Sequence, residues 1–152
     1  MSAEARLVEL GITLPAAPAA LASYVPWVRT GSLVFISGQV PLRDGALEHV
    51  GSVGAGVSQE QAVIEARQCA LNAVAQLRAA VGSLDNVTRI VKVTVFVASA
   101  PGFHAQPAVG NGASDLLVEV FGDAGRHARA AVGVAELPLG APVEVELIAE
   151  AI

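Results

Sequence analysis

The segment that most constrains the fold is a run of mainly β-branched residues from Arg89 to Ala98. Successive side chains of a strand point to opposite faces, so this run has two apolar faces. One face would carry Val91, Val93, Val95 and Val97, and the other Ile90, Thr94 and Phe96. We therefore predict the central strand of a sheet, with both of its faces buried.

Two helices are predicted beside this strand. Ser58-Gln59-Glu60-Gln61 has the form of a capping box, and small apolar residues follow it at helical spacing until Gly82 ends the helix. The alanine-rich face of this helix would let it lie close on a sheet. A second helix is predicted from Asn111 to Phe121, after a loop from Ala98 to Asn111.

The other strand-like runs complete the order β-β-α-β-α-β-β. Two of them flank a turn at Thr30-Gly31-Ser32, and the last two flank the turn Leu137-Pro138-Leu139-Gly140. The glycine-rich stretch from Gly45 to Gly56 matches no nucleotide-binding motif and is predicted to be a flexible rim of a cleft. A short helix at residues 3–10 and an extended arm from Leu14 to Ala22 would form an N-terminal segment, residues 1–23, before a single domain at residues 24–152.

Composition favours an oligomer. Of the 152 residues 53% are hydrophobic and only 15% are charged, which leaves little polar material to cover a monomer. Prolines and glycines interrupt the long uncharged runs, so no membrane-spanning helix is predicted. The N-terminus lacks the pattern of a secretory signal. We therefore expect a cytoplasmic oligomer with no membrane partner.

Charge and cysteine content exclude several classes of function. A net charge of −5, a single lysine and scattered arginines argue against nucleic acid as a partner. One cysteine, Cys69, excludes an internal disulfide and a cysteine-based zinc cluster, and its place on an apolar helix face predicts an inert core residue. The three histidines are widely spaced, so no metal site is expected.

Three charged residues interrupt the apolar C-terminal strands: Arg129, Glu144 and Glu146. A guanidinium among small apolar residues is costly to desolvate unless an anion meets it, and its planar fork suits a carboxylate. The anion could be a ligand, or it could be one of the two glutamates in a structural ion pair between the C-terminal strands.

Three segments together resemble the Rid/YjgF family of reactive-intermediate deaminases, also known as endoribonuclease L-PSP-like proteins. They are Gly31 to Pro41, Ile90 to Val97, and Arg129 to Glu146, and the likeness extends over roughly residues 24–150. The resemblance implies an α+β, chorismate-mutase-like fold, with a mixed sheet and two helices on one face. It also implies a homotrimer with ligand clefts between subunits. The N-terminal arm and the loop from Ala98 to Asn111 suggest a longer subgroup.

The resemblance implies an activity as well. Arg129 would hold the carboxylate of a 2-imino acid while water hydrolyses the imine to a 2-oxo acid and ammonia, and Glu144 would orient or activate that water. Tyr24 and Ser37 match cleft positions. Ala131 stands where the family often has a cysteine, but it keeps a backbone carbonyl for a polar ligand group. The asparagine expected after the central strand falls near Pro107.

Alternatives remain open at each position. Tyr24 could pack in an interface, Ser37 could only form a turn, and Glu144 could simply face water. For the whole protein, the alternatives are a non-catalytic trimeric module that binds small carboxylates and an endoribonuclease. The imine reaction would need no cofactor or metal, because a protonated or polarised C=N bond is already electrophilic.

Overall fold

A computed structural model describes residues 1–17 and 23–152, which form one sheet of five strands and three helices. The elements in chain order are α1 (Ala3–Glu9), β1 (Trp27–Thr30), β2 (Leu33–Gln39), α2 (Gln59–Val81), β3 (Val87–Ala98), α3 (Gln106–Phe121), β4 (Ala128–Val134) and β5 (Val143–Ala151). Of the predicted extended arm, residues 18–22 lie outside the described part.

The sheet has the order β1-β2-β5-β3-β4. β3 and β4 are parallel and the other neighbours are antiparallel, so the predicted mixed α+β sheet is confirmed. The two C-terminal strands flank one turn in the sequence, but they do not form a hairpin, because β3 lies between β4 and β5 in the sheet. A parallel β3–β4 pair requires a crossover, which α3 supplies, and β3 then offers its other edge to β5.

The long helix has the predicted ends. The Ser58 hydroxyl accepts a hydrogen bond from the Gln61 amide at 3.1 Å, and the Gln61 side chain accepts one from the Ser58 amide at 2.9 Å. Gly82 ends the helix with a φ of 81°. A Cβ on Gly112 of α3 would lie 2.1 Å from the Val63 carbonyl oxygen, so this glycine allows α3 to pack closely against α2.

Helix α3 begins at Gln106, five residues before the predicted start. Pro107 and Gly110 fall in the predicted loop from Ala98 to Asn111, but both belong to α3. Pro107 lies in the first turn of α3, where a missing amide hydrogen costs nothing. Gly110 is buried inside the helix, where a Cβ would lie 3.1 Å from Nη1 of Arg129. The extra turn places the start of α3 beside strand β4.

Helices α2 and α3 cover the same face of the sheet, and the other face is open. Val93, Val95 and Val97 are fully buried on the helix side, as is Ile90, because an irregularity in β3 between Ile90 and Lys92 changes the alternation. On the open face, apolar side chains stay exposed: Val28 by 52%, Phe35 by 40% and Val132 by 42%. β3 is an interior strand with a partner on each edge, although β5 is the middle strand of the five, and within one chain only one face of β3 is covered.

The N-terminal helix belongs to the same packed unit. α1 contacts α3, and Leu7 is buried in the common core. The division of the chain at residue 23 stays a prediction. Among the described residues, no helix is both long enough and apolar enough to cross a membrane.

The glycine-rich segment from Gly45 to Gly56 is tied to the strand ends. The Gly51 amide donates to the Gly140 carbonyl at 2.8 Å, and the Val53 amide donates to the Ala98 carbonyl at 2.7 Å. Val53 is fully buried. The segment is thus anchored at both positions, in contrast to the free rim that the sequence suggested.

A buried carboxylate secures the start of this segment to α2. Glu65 is fully buried, and Nη1 of Arg43 lies 2.9 Å from both of its carboxylate oxygens. Nδ1 of His49 lies 3.1 Å from Oε1 of Glu65. Because a charge without solvent needs a partner, Arg43 compensates the carboxylate, and the contacts of Arg43 and His49 with Glu65 hold the loop on the helix.

Replacing Arg43 should therefore cost much more than replacing an exposed arginine. We expect Arg43→Met to lower the free energy of unfolding by about 3 kcal/mol, because Glu65 would lose its compensating charge. Arg78→Met is the matched control, since Arg78 pairs with Glu4 at the surface and such pairs contribute about 0–1 kcal/mol. Urea unfolding at fixed protein concentration measures both. Equal losses in the two variants would contradict this account.

Candidate functional site

Arg129 lies on the helix side of the sheet, under the first turns of α3. It pairs in register with Val93, whose side chain is buried against the helices, so the arginine side chain points the same way. Its Nη1 donates to Oδ1 of Asn111 at 2.9 Å and to Oγ of Ser114 at 3.2 Å, and its Nη2 donates to the Pro107 carbonyl at 3.3 Å. Three acceptors on one helix therefore fix the guanidinium.

The guanidinium keeps two of its N–H donors available. A guanidinium has five N–H groups, and the contacts with α3 use both on Nη1 and one on Nη2. The Nε–H and the second Nη2–H have no acceptor among residues 1–17 and 23–152. Adjacent N–H groups of this kind match the two oxygens of a carboxylate.

No carboxylate of the described chain forms an ion pair with Arg129. Glu144 and Glu146 pair in register with Phe96 and Thr94, which alternate with the buried valines of β3, so both glutamates lie on the open face. The structural ion pair between the C-terminal strands is therefore absent from the described part of the chain. Within one subunit, the sheet separates the arginine from both glutamates.

Ala131 is the next residue of β4 on the side of Arg129. It pairs with the buried Val95, and its Cβ would lie 3.5 Å from a Cβ built on Gly110. The small side chain thus lies beside the guanidinium, under α3. A cysteine at this position would point to the same place.

Sequence reasoning missed the helix residues that hold the arginine. Pro107, which stands near the position where the family's asparagine was expected, supplies its carbonyl oxygen, and an asparagine one helical turn later, Asn111, also accepts from Arg129. The signal available was the spacing of Asn111 and Ser114, which three residues apart share a helix face. That spacing alone did not identify them, because no local signal in the sequence places this helix face beside Arg129 of β4.

His127 was also missed. Its Nε2 lies 2.9 Å from Oγ of Ser114, and its Nδ1 lies 2.6 Å from the carbonyl oxygen of Gly125. Burial lowers the pKa of His127 below its ordinary value of 6.5, and the charge of Arg129 lowers it further, against the raising effect of the bond to Gly125. The imidazole is therefore neutral at pH 7.

Glu144 has the electrostatic character of a proton acceptor. Burial raises its pKa above the ordinary value of 4.5, and the neighbouring carboxylate of Glu146 raises it further. Its side chain lies against Gly38, where a Cβ would be only 2.1 Å from Oε1. Gly38 lies where the pairing of β2 with β5 is irregular, and it must be glycine because the carboxylate of Glu144 occupies the space that a side chain would need.

Ser37 and Glu146 line a hollow of about 430 Å³ on the open face. Its walls also include Val28, Phe35 and Lys92, so it combines apolar surface with one charge of each sign. The hydroxyl of Ser37 donates to the Val25 carbonyl at 2.7 Å, which holds the segment before β1. This bond gives Ser37 a structural role in the single chain.

Tyr24 lies far from Arg129. It is 58% exposed, just before β1, which is one edge of the sheet, whereas Arg129 is on β4, the other edge. Four strand spacings of ~4.8 Å separate these edges, about 19 Å in all. The predicted site residues thus fall into two groups: Arg129 and Ala131 under α3, and Ser37, Glu144 and Tyr24 on or beside the other side of the sheet.

Cys69 is fully buried on α2, and burial raises the pKa of its thiol, with Glu65 and Glu144 adding to the effect. Its Sγ lies 3.5 Å from the Val143 carbonyl oxygen. A protonated, inaccessible thiol is a poor nucleophile, which agrees with the expectation of an inert core residue.

Comparisons with known proteins agree on one family. Residues 4–151 match the family described as "YjgF/chorismate mutase-like, putative endoribonuclease". Protein TCP17 of Trypanosoma cruzi is 50% identical over 96% of this chain and 92% of its own length. The 2-iminobutanoate/2-iminopropanoate deaminase of Dermatophagoides farinae is 33% identical over 90% of this chain and 92% of its own.

A solved structure is similar throughout. The crystal structure of protein Atu1372 from Agrobacterium tumefaciens, described as having unknown function, superposes with a TM-score of 0.91 at 46% identity. The match covers 99% of this chain and 93% of that one. The fold described above is therefore shared over its whole length.

The raised pKa of Glu144 has a consequence for stability. A carboxyl whose pKa is raised by folding favours the protonated state, so its contribution to stability is complete below pH ~4.5 and is lost as the pH rises through the folded-state pKa. We expect Glu144→Gln to be more stable than the parent protein at pH 7, by on the order of 0.5 kcal/mol because half of the side chain remains open to solvent. The gain should vanish near pH 4.

Thermal and urea unfolding at the two pH values measure this difference. Glu150→Gln is the control, because Glu150 lies on the same face of β5 and is not part of the site. A loss of stability at pH 7 in Glu144→Gln alone would show that the carboxylate is stabilised by a partner and would contradict the account.

Proposed function

The chain belongs to the Rid/YjgF family, and we propose from this membership that it hydrolyses 2-imino acids to 2-oxo acids and ammonia. The observation that carries the proposal is the state of Arg129, which α3 holds firmly while two of its N–H donors have no described acceptor. A relative with matching length is named as a 2-iminobutanoate/2-iminopropanoate deaminase.

Arg129 would bind the carboxylate of the imino acid. Charge-assisted hydrogen bonds are shorter and stronger than neutral ones, and a bidentate pair also fixes orientation. The contacts with Asn111, Ser114 and the Pro107 carbonyl restrict rotation of the guanidinium, so little conformational freedom is lost on binding. The substrate would thus be held by its unreactive end, with the C=N bond directed away from α3.

Glu144 would transfer the protons in this reaction. It takes one from the attacking water as oxygen bonds to the imine carbon, which gives a tetrahedral carbinolamine. For a protonated imine, it then returns that proton to nitrogen and takes the hydroxyl proton as the C–N bond breaks, which releases the 2-oxo acid and leaves the last proton to pass to the departing ammonia. A raised pKa suits a group that must both accept and donate near neutral pH, and such help is typically worth about 10²- to 10⁴-fold.

The two groups can meet only between subunits, because the sheet separates them within one chain. We propose a homotrimer in which the open face of one subunit, with Glu144, Ser37 and the hollow beside them, meets the Arg129 edge of the next. The exposed Val28, Phe35 and Val132 on that face favour burial against a second copy. Tyr24, at the far edge from Arg129, would reach the site in the same way.

A carboxylate-binding module without catalysis is the second candidate. It is favoured by Ala131, which offers no thiol, and by the absence of Glu144 from the surroundings of Arg129 in a single chain. Such a module would bind 2-oxo acids in calorimetry and leave imines unchanged. An endoribonuclease is less favoured, because the net charge of −5 opposes RNA binding.

Imine hydrolysis can be measured directly. An amino-acid oxidase generates the 2-imino acid, and semicarbazide traps whatever the protein does not hydrolyse. We expect the purified protein to reduce semicarbazone formation. Arg129→Ala should lower kcat/KM by about 10²-fold or more, since it removes two charge-assisted hydrogen bonds to the substrate. The kcat/KM of Arg129→Lys should be intermediate, because lysine keeps the positive charge but lacks the planar pair of N–H donors that binds a carboxylate.

Arg126→Ala is the matched control. Arg126 is exposed, lies three residues before Arg129 and pairs only with Asp123 at 3.4 Å in the described chain, so its loss should not change turnover. Unchanged turnover in Arg129→Ala would refute the mechanism. Carboxylate binding without hydrolysis across varied amino acids would select the binding module.

A further inference from the structure

We propose that Ser114 and His127 act as a relay that positions Arg129, with His127 in its neutral form and its proton on Nδ1. The inference rests on the proposed function, since Arg129 is the substrate-binding group there. It adds two positioning residues: Ser114, which accepts a hydrogen bond from Nη1 of the arginine, and His127, which acts through Ser114.

The hydrogen-bond partners of His127 and Ser114 allow only one placement of the hydrogens in the relay. The Gly125 carbonyl can only accept, so the proton of the 2.6 Å contact must be on Nδ1 of His127. Nε2 of the neutral ring is then an acceptor, and the Ser114 hydroxyl donates to it across 2.9 Å. The lone pairs of Oγ are thereby directed toward Nη1 of Arg129, at 3.2 Å.

The protonated imidazole does not fit this arrangement. It would donate from Nε2 to Ser114, so that Oγ would face donors from both His127 and Arg129 and its own hydrogen would lose its acceptor. It would also place a second positive charge near Arg129. The chain therefore holds the arginine with a neutral ring.

The other charged groups around His127 leave it neutral. Arg126, next in sequence, pairs with the exposed Asp123. Lys92 of β3 pairs in register with Ala128 and lines the hollow on the open face, and Asp115 of α3 is exposed. No carboxylate of the described residues contacts the imidazole, so nothing there favours its protonation.

The relay can be tested on ligand binding, without turnover. The probe is 2-oxobutanoate, a 2-oxo acid of the product class, and its Kd is measured by calorimetry at pH 7. We expect Ser114→Ala and His127→Leu each to weaken binding about tenfold, the effect of one hydrogen bond to a charged group. The double variant should be no weaker than either single one, because both act through the same bond to Nη1.

His127→Gln separates positioning from mere packing. The amide oxygen of glutamine can accept from Ser114 as Nε2 does, so this variant should restore most of the affinity lost in His127→Leu. If circular dichroism shows both variants to be folded, and His127→Gln binds 2-oxobutanoate as weakly as His127→Leu does, the proposal is overturned. A fully additive double variant would overturn it as well.

Nitrogen NMR of the imidazole provides the readout that does not depend on a ligand. The Nδ1–H tautomer is expected at pH 7, and Ser114→Ala should shift the Nε2 resonance of His127 and the guanidinium resonances of Arg129. A proton on Nε2, or no shift in Ser114→Ala, would refute the relay. If the parent protein and Arg129→Ala both fail to bind 2-oxobutanoate, the proposed function fails, and the NMR result alone decides the relay.

Discussion

The contact on which the site depends is the packing of α3 over the start of β4. It places three acceptors of one helix around the guanidinium of Arg129 and leaves the remaining donors of that side chain available. Two small residues make this contact possible. Gly110 leaves room for the guanidinium, and Gly112 lets α3 approach the backbone of α2. Gly110 thus lets α3 lie over the guanidinium, and Gly112 lets the same helix pack against α2.

The sheet imposes the second constraint. Helices cover one face, and strand alternation sends Arg129 to that face and Glu144 to the other. The proposed reaction, which needs both residues, can therefore occur only where two copies of the chain meet. The same open face carries exposed valines and a phenylalanine, so burial of apolar surface and completion of a site would result from one association.

Much of the fold followed from local rules. The capping box at Ser58, the end of α2 at Gly82 and the interior position of β3 are all signals carried by a few neighbouring residues. The predictions that were wrong concern features that depend on contacts between residues distant in sequence. Pro107 marks the first turn of a helix only because α3 crosses to β4, and the two C-terminal strands are separated because β3 accepts a partner on each edge.

The site shows the same division between local and distant information. Arg129 and Glu144 stand out as charges in apolar strands. Asn111, Ser114 and His127 carry no such mark, because their role comes from hydrogen bonds across 13 to 18 residues of chain. The buried Glu65 was missed for a similar reason, since its partner Arg43 lies 22 residues earlier, just before the glycine-rich segment.

The central claim is that each site takes Arg129 from one subunit and Glu144 from another. Arg129→Ala and Glu144→Gln chains, carrying different tags, are co-expressed and purified over both tags, and imine hydrolysis is measured beside each parent variant. In a mixed cyclic trimer one of the three interfaces joins an intact Arg129 to an intact Glu144, so we expect about one third of the wild-type activity from two variants that are inactive alone. Activity no higher than that of the parents would contradict a site shared between subunits.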